Sequence, residues 1–280
     1  MKRTIIFFFL FVGFINAQSQ TTKLDVFLNE AALKKSLMNV RLINCIDYTP
    51  TGFLLLSSSN QFYMLGMEKI SAIFNKTNII IDAFTVTKNN ALWVASGNKL
   101  YYMDSLKTLS PLYNLPISNA GIVSGNDTNV AYVYDRTFQK GKKEYAVYQS
   151  TDNQCTRLAS TSAPILSIFE YKTSLLFSSE NKILCADRKT KTFFDFFSLP
   201  QKQNIVSITG DTINHALYFS TQDTVYRAQN GKLEYICTEF GGILKYDGEG
   251  LLVFNHEKSL IIRFRNNILY PAINKEEESH

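Results

Sequence analysis

The sequence predicts an all-β protein, and three observations carry that expectation. Aromatic residues make up 13% of the 280 residues, as 21 Phe and 15 Tyr against a single Trp, and Phe and Tyr favour strands. A dense apolar strand, a polar turn and a second apolar strand recur along the chain, with Phe53, Ala91, Ala131, Ser174, Ala216 and Gly250 at equivalent places and steps of 38, 40, 43, 42 and 34 residues between them. The runs themselves, such as Leu54-Leu55-Leu56 and Leu251-Leu252-Val253-Phe254, do not alternate with polar residues, so their strands are covered on both faces. The rest of the composition, 45% hydrophobic and 19% charged with 13 Gly and 6 Pro, excludes wholesale disorder, a coiled coil and a collagen-like or Pro-rich chain.

At the N-terminus, Lys2 and Arg3 precede an apolar run from Ile5 to Phe14 and a small residue at Ala17. That run is too short to cross a bilayer as a helix and has the form of a secretory signal peptide, residues 1–17, cut before Gln18. No Cys lies near the cut, so the pattern of a lipid-anchored lipoprotein is missing. No later apolar run is long enough to span a membrane, so the expectation is a secreted or periplasmic chain that is not transmembrane after cleavage. Loss of Lys2 and Arg3 lowers the net charge from +5 to +3. A nucleic-acid binder shows a concentrated basic face, so no nucleic-acid partner is expected. Residues 18–39 form a strand and helix segment, with Leu28–Leu37 as the helix candidate, expected to pack on the last repeat. Residues 273–280, with three consecutive Glu, read as a disordered acidic tail.

The repeat units follow in order. Their paired strands are 53–58 with 61–65, 91–96 with 99–103, 131–134 with 144–148, 174–179 with 182–185, 216–221 with 224–227, and 250–255 with 259–263. Each unit has a strand ahead of the pair, such as Arg41–Ile46 or Asn204–Ile208, and most have one after it, such as Ile70–Phe74 or Leu233–Cys237. A period of about 40 residues with four strands per unit is the pattern of a propeller blade. Residues 40–272 are therefore expected to form a six-bladed β-propeller of four-stranded antiparallel blades, each blade covered by its neighbours. A β-sandwich would alternate more cleanly, and a parallel α/β sheet would need crossover helices that are missing. The ring must close. The sixth unit is the shortest, with 267–270 for its outer strand, which Leu24–Leu28 could supply or extend.

On these units the chain resembles secreted six-bladed β-propellers of the broad NHL and SMP-30/gluconolactonase-like group over about residues 40–270. No Trp-Asp ending, Tyr-Trp-Thr-Asp repeat, kelch double glycine in each unit or Asp-box occurs, and the lone Gly241-Gly242 reads as a tight turn at a unit junction. The lactonase side of the resemblance implies a metal held by Glu, Asn and Asp at the channel mouth.

Candidate sites fall in the turns. The turns between second and third strands carry Asn60, Asn98, Asn181, Asp223 and Glu257, either a polar ring suited to a ligand or to a divalent cation such as Ca²⁺ or ordinary turn residues. The third unit departs most from the repeat, through an enlarged turn from Asp135 to Lys143. Its Arg136, Phe138, Lys140, Lys142 and Lys143 are the candidate ligand-binding residues, since insertions in repeat proteins mark working faces. They suit an acidic glycan or an acidic protein; the alternative is a long solvated hairpin. His215, His256 and His280 share no metal-ligand spacing, and no Gly-x-Ser-x-Gly occurs, so no catalytic residue is singled out. Cys45, Cys155, Cys185 and Cys237 sit in or beside apolar segments and read as buried thiols, with disulfides the alternative that export permits. Asn75 and Asn126 fit the N-glycan acceptor pattern. Asp211-Thr212-Ile213 and Asp223-Thr224-Val225 look like an O-glycosylation motif of some bacterial secreted proteins. The sequence thus points to a non-catalytic binding module for a protein or glycan partner, without cofactor. The alternative is a metal-dependent lactonase-like hydrolase acting at the channel mouth.

Overall fold

The computed structural model describes residues 45–271, apart from 49–53, 59–60, 66–69, 73–78, 88–90, 105–107, 128, 138–143, 188–189, 191, 201, 247, 249, 256–259 and 266–267. The expected signal peptide, the 18–39 segment with its helix and strand, and the acidic tail lie outside the described residues. Among the described residues, 24 strands form six four-stranded antiparallel sheets, each built from one contiguous stretch with its strands in sequence order. Sheet 1 holds β1 (Cys45–Tyr48), β2 (Leu54–Ser58), β3 (Gln61–Leu65) and β4 (Ile70–Ala72). Sheet 2 holds β5 (Ala83–Val86), β6 (Leu92–Ser96), β7 (Lys99–Asp104) and β8 (Thr108–Asn114). Sheet 3 holds β9 (Ala120–Ser124), β10 (Ala131–Asp135), β11 (Tyr145–Ser150) and β12 (Cys155–Thr161). Sheet 4 holds β13 (Ser167–Tyr171), β14 (Ser174–Ser179), β15 (Lys182–Asp187) and β16 (Thr192–Ser198). Sheet 5 holds β17 (Ser207–Asp211), β18 (Ala216–Ser220), β19 (Thr224–Gln229) and β20 (Lys232–Thr238). Sheet 6 holds β21 (Ile243–Tyr246), β22 (Leu251–Asn255), β23 (Leu260–Arg265) and β24 (Ile268–Pro271). The fourth strand of sheet 6 is thus the chain's own β24.

Burial explains why the runs do not alternate. The middle strands β6 and β14 and the whole of β22 are buried on successive residues, whereas the fourth strands β16 and β20 are mostly exposed. The core is correspondingly divided into slabs between neighbouring sheets. Phe62 of β3 meets Phe84 of β5 edge-on at 5.3 Å between ring centroids, joining sheets 1 and 2. Ala83, Trp93 and Leu100 pack against Ile122 and Val133 between sheets 2 and 3. Phe197 of β16 packs on Phe219 of β18 between sheets 4 and 5, at 5.1 Å. Fully burying a side chain of this size contributes about 1.5–3 kcal/mol, and only a second sheet laid on the first can supply that cover.

The first strands touch one another in cyclic order, β1 with β5, β5 with β9, β9 with β13, β13 with β17, β17 with β21, and β21 with β1. A polar bond crosses every junction. Val86 N and Thr85 Oγ1 donate to Asp47 Oδ2 at 3.0 and 2.7 Å, and Ser124 N donates to Thr85 Oγ1 at 2.9 Å. Asn126 N donates to Glu170 Oε2 at 2.7 Å, Ile208 N to Ser167 Oγ at 3.2 Å, and Leu244 N to Ser207 Oγ at 3.0 Å. The last junction is an ion pair, Lys245 Nζ 3.3 Å from Asp47 Oδ1. Backbone amides at the centre, which no strand ladder reaches, thereby find acceptors. The architecture is all-β and propeller-like.

Gly241-Gly242, read as a tight turn, joins sheets 5 and 6. Gly242 has φ +134, and a Cβ there would lie 2.2 Å from the Phe254 carbonyl oxygen, so only glycine fits. Asn255 Nδ2 donates to Gly241 O at 2.8 Å, and Ser220 Oγ donates to Gly242 O. Cys185 and Cys237 are buried free thiols, whereas Cys155 is a free thiol only half-buried; the side chain of Cys45 lies outside the described residues.

Candidate functional site

Antiparallel order sorts the turns onto two faces. Turns between second and third strands share one face with the sheet-to-sheet connections. Turns between first and second, and between third and fourth, strands lie on the other. The enlarged β10–β11 turn is on the first face. Its root is fixed at three points: Arg136 N donates to Asn119 O at 2.9 Å, Arg136 Nη1 to Asp82 O at 3.3 Å, and Thr137 N to Asp135 Oδ1 at 2.9 Å. Asp82 in turn accepts from Gly97 N at 2.6 Å. Arg136 is therefore drawn over the connections that enter sheets 2 and 3, and its guanidinium stays exposed. At the other root, hydrogen bonds from Ser160 and Arg157 hold the Glu144 carboxyl below its ordinary range, and Arg157 forms an ion pair with it. Phe138, Lys140, Lys142 and Lys143 lie outside the described residues.

Three of the five polar turn residues are described, and the side chains of two of them, Asn181 and Asp223, bond to neighbouring groups of the fold. Asn181 Nδ2 donates to Leu199 O at 2.9 Å, and the Asn98 carbonyl accepts from Leu115 N at 2.6 Å. Asp223 accepts from Thr221 Oγ1, Thr224 Oγ1 and Gln203 Nε2 at 2.7, 3.0 and 3.3 Å. The Thr221 hydroxyl, against the opposing effect of burial, leads the hydrogen bonds that keep the Asp223 carboxyl below its ordinary range. Asn60 and Glu257 lie outside the described residues. No three His, Cys, Asp or Glu among the described residues are grouped so as to hold a metal ion.

The modification motifs divide in the same way. Asn126 ties sheet 3 to sheet 4, with Nδ2 donating to Lys172 O at 3.2 Å and, more weakly, to Glu170 O at 3.4 Å. Thr212 is exposed on the β17–β18 turn, whereas Thr224 is buried. Asn75 lies outside the described residues.

A feature the sequence did not signal is a cavity of about 210 Å³ between sheets 5 and 6, on the face opposite the basic loop. Asp211, Asn214, Tyr218, Arg227, Gln229 and Tyr246 supply its polar lining. Tyr218 and Tyr246 stack, with centroids 5.9 Å apart and planes 19° from parallel. Burial alone would raise the Asp211 carboxyl, but bonds from Asn214, Tyr246 and Ile213 hold it below its ordinary value. These residues come from two sheets, and Asp211-Thr212-Ile213-Asn214 by itself reads only as a hairpin turn.

The architecture is shared with solved structures. One is the extracellular domain of a protein described as a hybrid two-component system from B. thetaiotaomicron, 12% identical, with a TM-score of 0.59, covering 85% of this chain and 34% of that one. The chain thus spans about a third of the length of that structure. Another is a gluconolactonase from Xanthomonas campestris, 12% identical, with a TM-score of 0.64, covering 85% of this chain and 94% of that one. At such identity both are likenesses of fold. No protein-family model and no curated protein sequence matches the chain.

Proposed function

We propose that the chain is an exported six-bladed β-propeller that works as a binding module, engaging an acidic partner through Arg136, Phe138, Lys140, Lys142 and Lys143. The cyclic contacts of the first strands support the closed ring. The observation that carries the binding reading is the rooted loop: Arg136, held by Asn119 and Asp82, starts the basic segment from a fixed place on the connection face. An exposed cation held in place, as Arg136 is, steers an acidic partner and loses less freedom on capture than a free side chain. The extracellular domain among the structural likenesses fits an exported recognition role.

The test changes Arg136, Lys140, Lys142 and Lys143 together to Ser and measures retention on two acidic probes, heparin and poly-glutamate. Retention of both should fall at least about tenfold, and the parent's retention should weaken with salt, because exposed charges are screened over about 8 Å at physiological ionic strength. The melting temperature should stay nearly unchanged, since exposed substitutions usually move stability by less than about 0.5 kcal/mol. Unaltered retention overturns the reading. A stoichiometric bound divalent ion at the connection face would instead favour the lactonase-like alternative.

A further inference from the structure

We propose that the cavity between sheets 5 and 6 binds a single neutral sugar ring, either a free monosaccharide or the terminal residue of a glycan. This goes beyond the basic loop, which lies on the opposite face, and does not depend on it.

Size is the first constraint. A cavity of about 210 Å³ has room for several waters. It lies below the usual range of drug-sized sites, which begins at about 300 Å³. A volume of this size accommodates one small ring.

Charge is the second constraint. Both oxygens of Asp211 are fully engaged. Oδ1 accepts from Ile213 N and Asn214 N, both at 2.9 Å, and Oδ2 accepts from Asn214 Nδ2 at 2.6 Å and Tyr246 Oη at 2.7 Å. A carboxylate has about four acceptor positions, so little capacity is left for a cation. The Arg227 guanidinium is neutralised by Glu234, through Nε at 2.9 Å and through Nη2. An anion would meet that carboxylate and Asp211 as well. The chemistry that remains is an uncharged polar molecule.

Surface is the third constraint. Ile236, Leu251 and Phe264 form an apolar wall, while Arg227, Gln229 and Asn214 bring planar polar groups to the same space. The Asn214 carbonyl fixes Gln229 through its Nε2 at 2.8 Å. A pyranose matches such a pocket, because its C–H faces are apolar and its edge carries hydroxyls that both donate and accept. Stacked Tyr218 and Tyr246 stiffen one side, so the shape exists before the ligand arrives.

The experiment is saturation-transfer NMR on the full chain with four probes: D-glucose, D-galactose and their methyl glycosides. At least one should receive saturation. Ala216→Leu, which pushes a side chain into the cavity, should abolish the signal. Gln229→Ala should weaken binding about three- to tenfold, the loss expected of one hydrogen bond, with its melting curve compared to separate binding from folding. Saturation of a methyl glycoside marks a glycan terminus, and saturation of free sugars alone marks a monosaccharide. The loop variant with four Ser should bind as the parent does. If Ala216→Leu does not fold, Gln229→Ala decides. No transfer to any of the four probes, or equal transfer to parent and folded variants, overturns the proposal.

Discussion

Tyr113 reaches from the outer strand of sheet 2 to the β11–β12 turn of sheet 3, where its hydroxyl donates to Thr151 O at 2.9 Å and Gln154 O at 3.0 Å. Burial pushes its phenol from 10.0 up to about 12. The folded state therefore keeps the proton that the unfolded chain gives up near 10. The stabilising contribution is complete below pH 10.0 and disappears as pH rises through about 12. Tyr113→Phe should cost about 1 kcal/mol at neutral pH. The gap between parent and variant melting temperatures should hold up to about pH 10, close within about one unit above it and then reverse, because a shift of this size outweighs about 1 kcal/mol. A gap that stays constant through pH 12 would mean that burial does not hold the phenol protonated.

Elements show what could be seen in the chain beforehand. Paired apolar runs placed the second and third strands well: 174–179 with 182–185 is observed as β14 (Ser174–Ser179) and β15 (Lys182–Asp187). Such a strand is visible in a sequence because burial on both faces leaves an unbroken apolar stretch, here Leu175–Phe177. The fourth strands hide a repeated irregularity. In sheets 2 to 5 the pairing of third and fourth strands shifts by one, leaving Leu112, Leu158, Phe196 and Ile236 as the extra residues. All four are apolar, as other strand residues are, so no residue type marks them. Such bulges twist an outer strand away from edge-to-edge pairing, and Pro111 and Pro271 in β8 and β24 remove donors from the same edges. β16 is the weakest guard, since Phe194 and Phe196 are 53% and 51% exposed. Phe196→Lys should change stability by less than about 0.5 kcal/mol and slow the growth of light scattering in concentrated solution. Unchanged aggregation would place the sticky surface elsewhere. The sugar-sized cavity was invisible for a related reason: Tyr218 and Tyr246 meet only once two sheets are stacked.

At the scale of the whole molecule, the central polar bonds were as hidden as the bulges. Asp47 fell just past the expected strand Arg41–Ile46, yet it lies in β1, accepts from sheet 2 and pairs with Lys245 of sheet 6. Its side chain is 11% exposed and that of Lys245 22%, so water screens the pair poorly. Asp47→Ala should cost about 3 kcal/mol, because it strands a largely buried ammonium and leaves the Val86 amide without its carboxylate acceptor. Lys245→Met, which removes the charge itself, should cost clearly less. Urea unfolding of both variants reads the difference, and equal costs would mean that the pair does not join the two sheets.

Each sheet is one uninterrupted stretch of chain, and the described strands of the first and last sheets meet side to side without sharing a strand. Among the described strands, the seam between the first and last sheets is therefore fastened like a clasp, not woven like a basket. Tension applied across the Asp47–Lys245 seam should part it there before any sheet unravels, and each four-stranded unit should survive the opening intact.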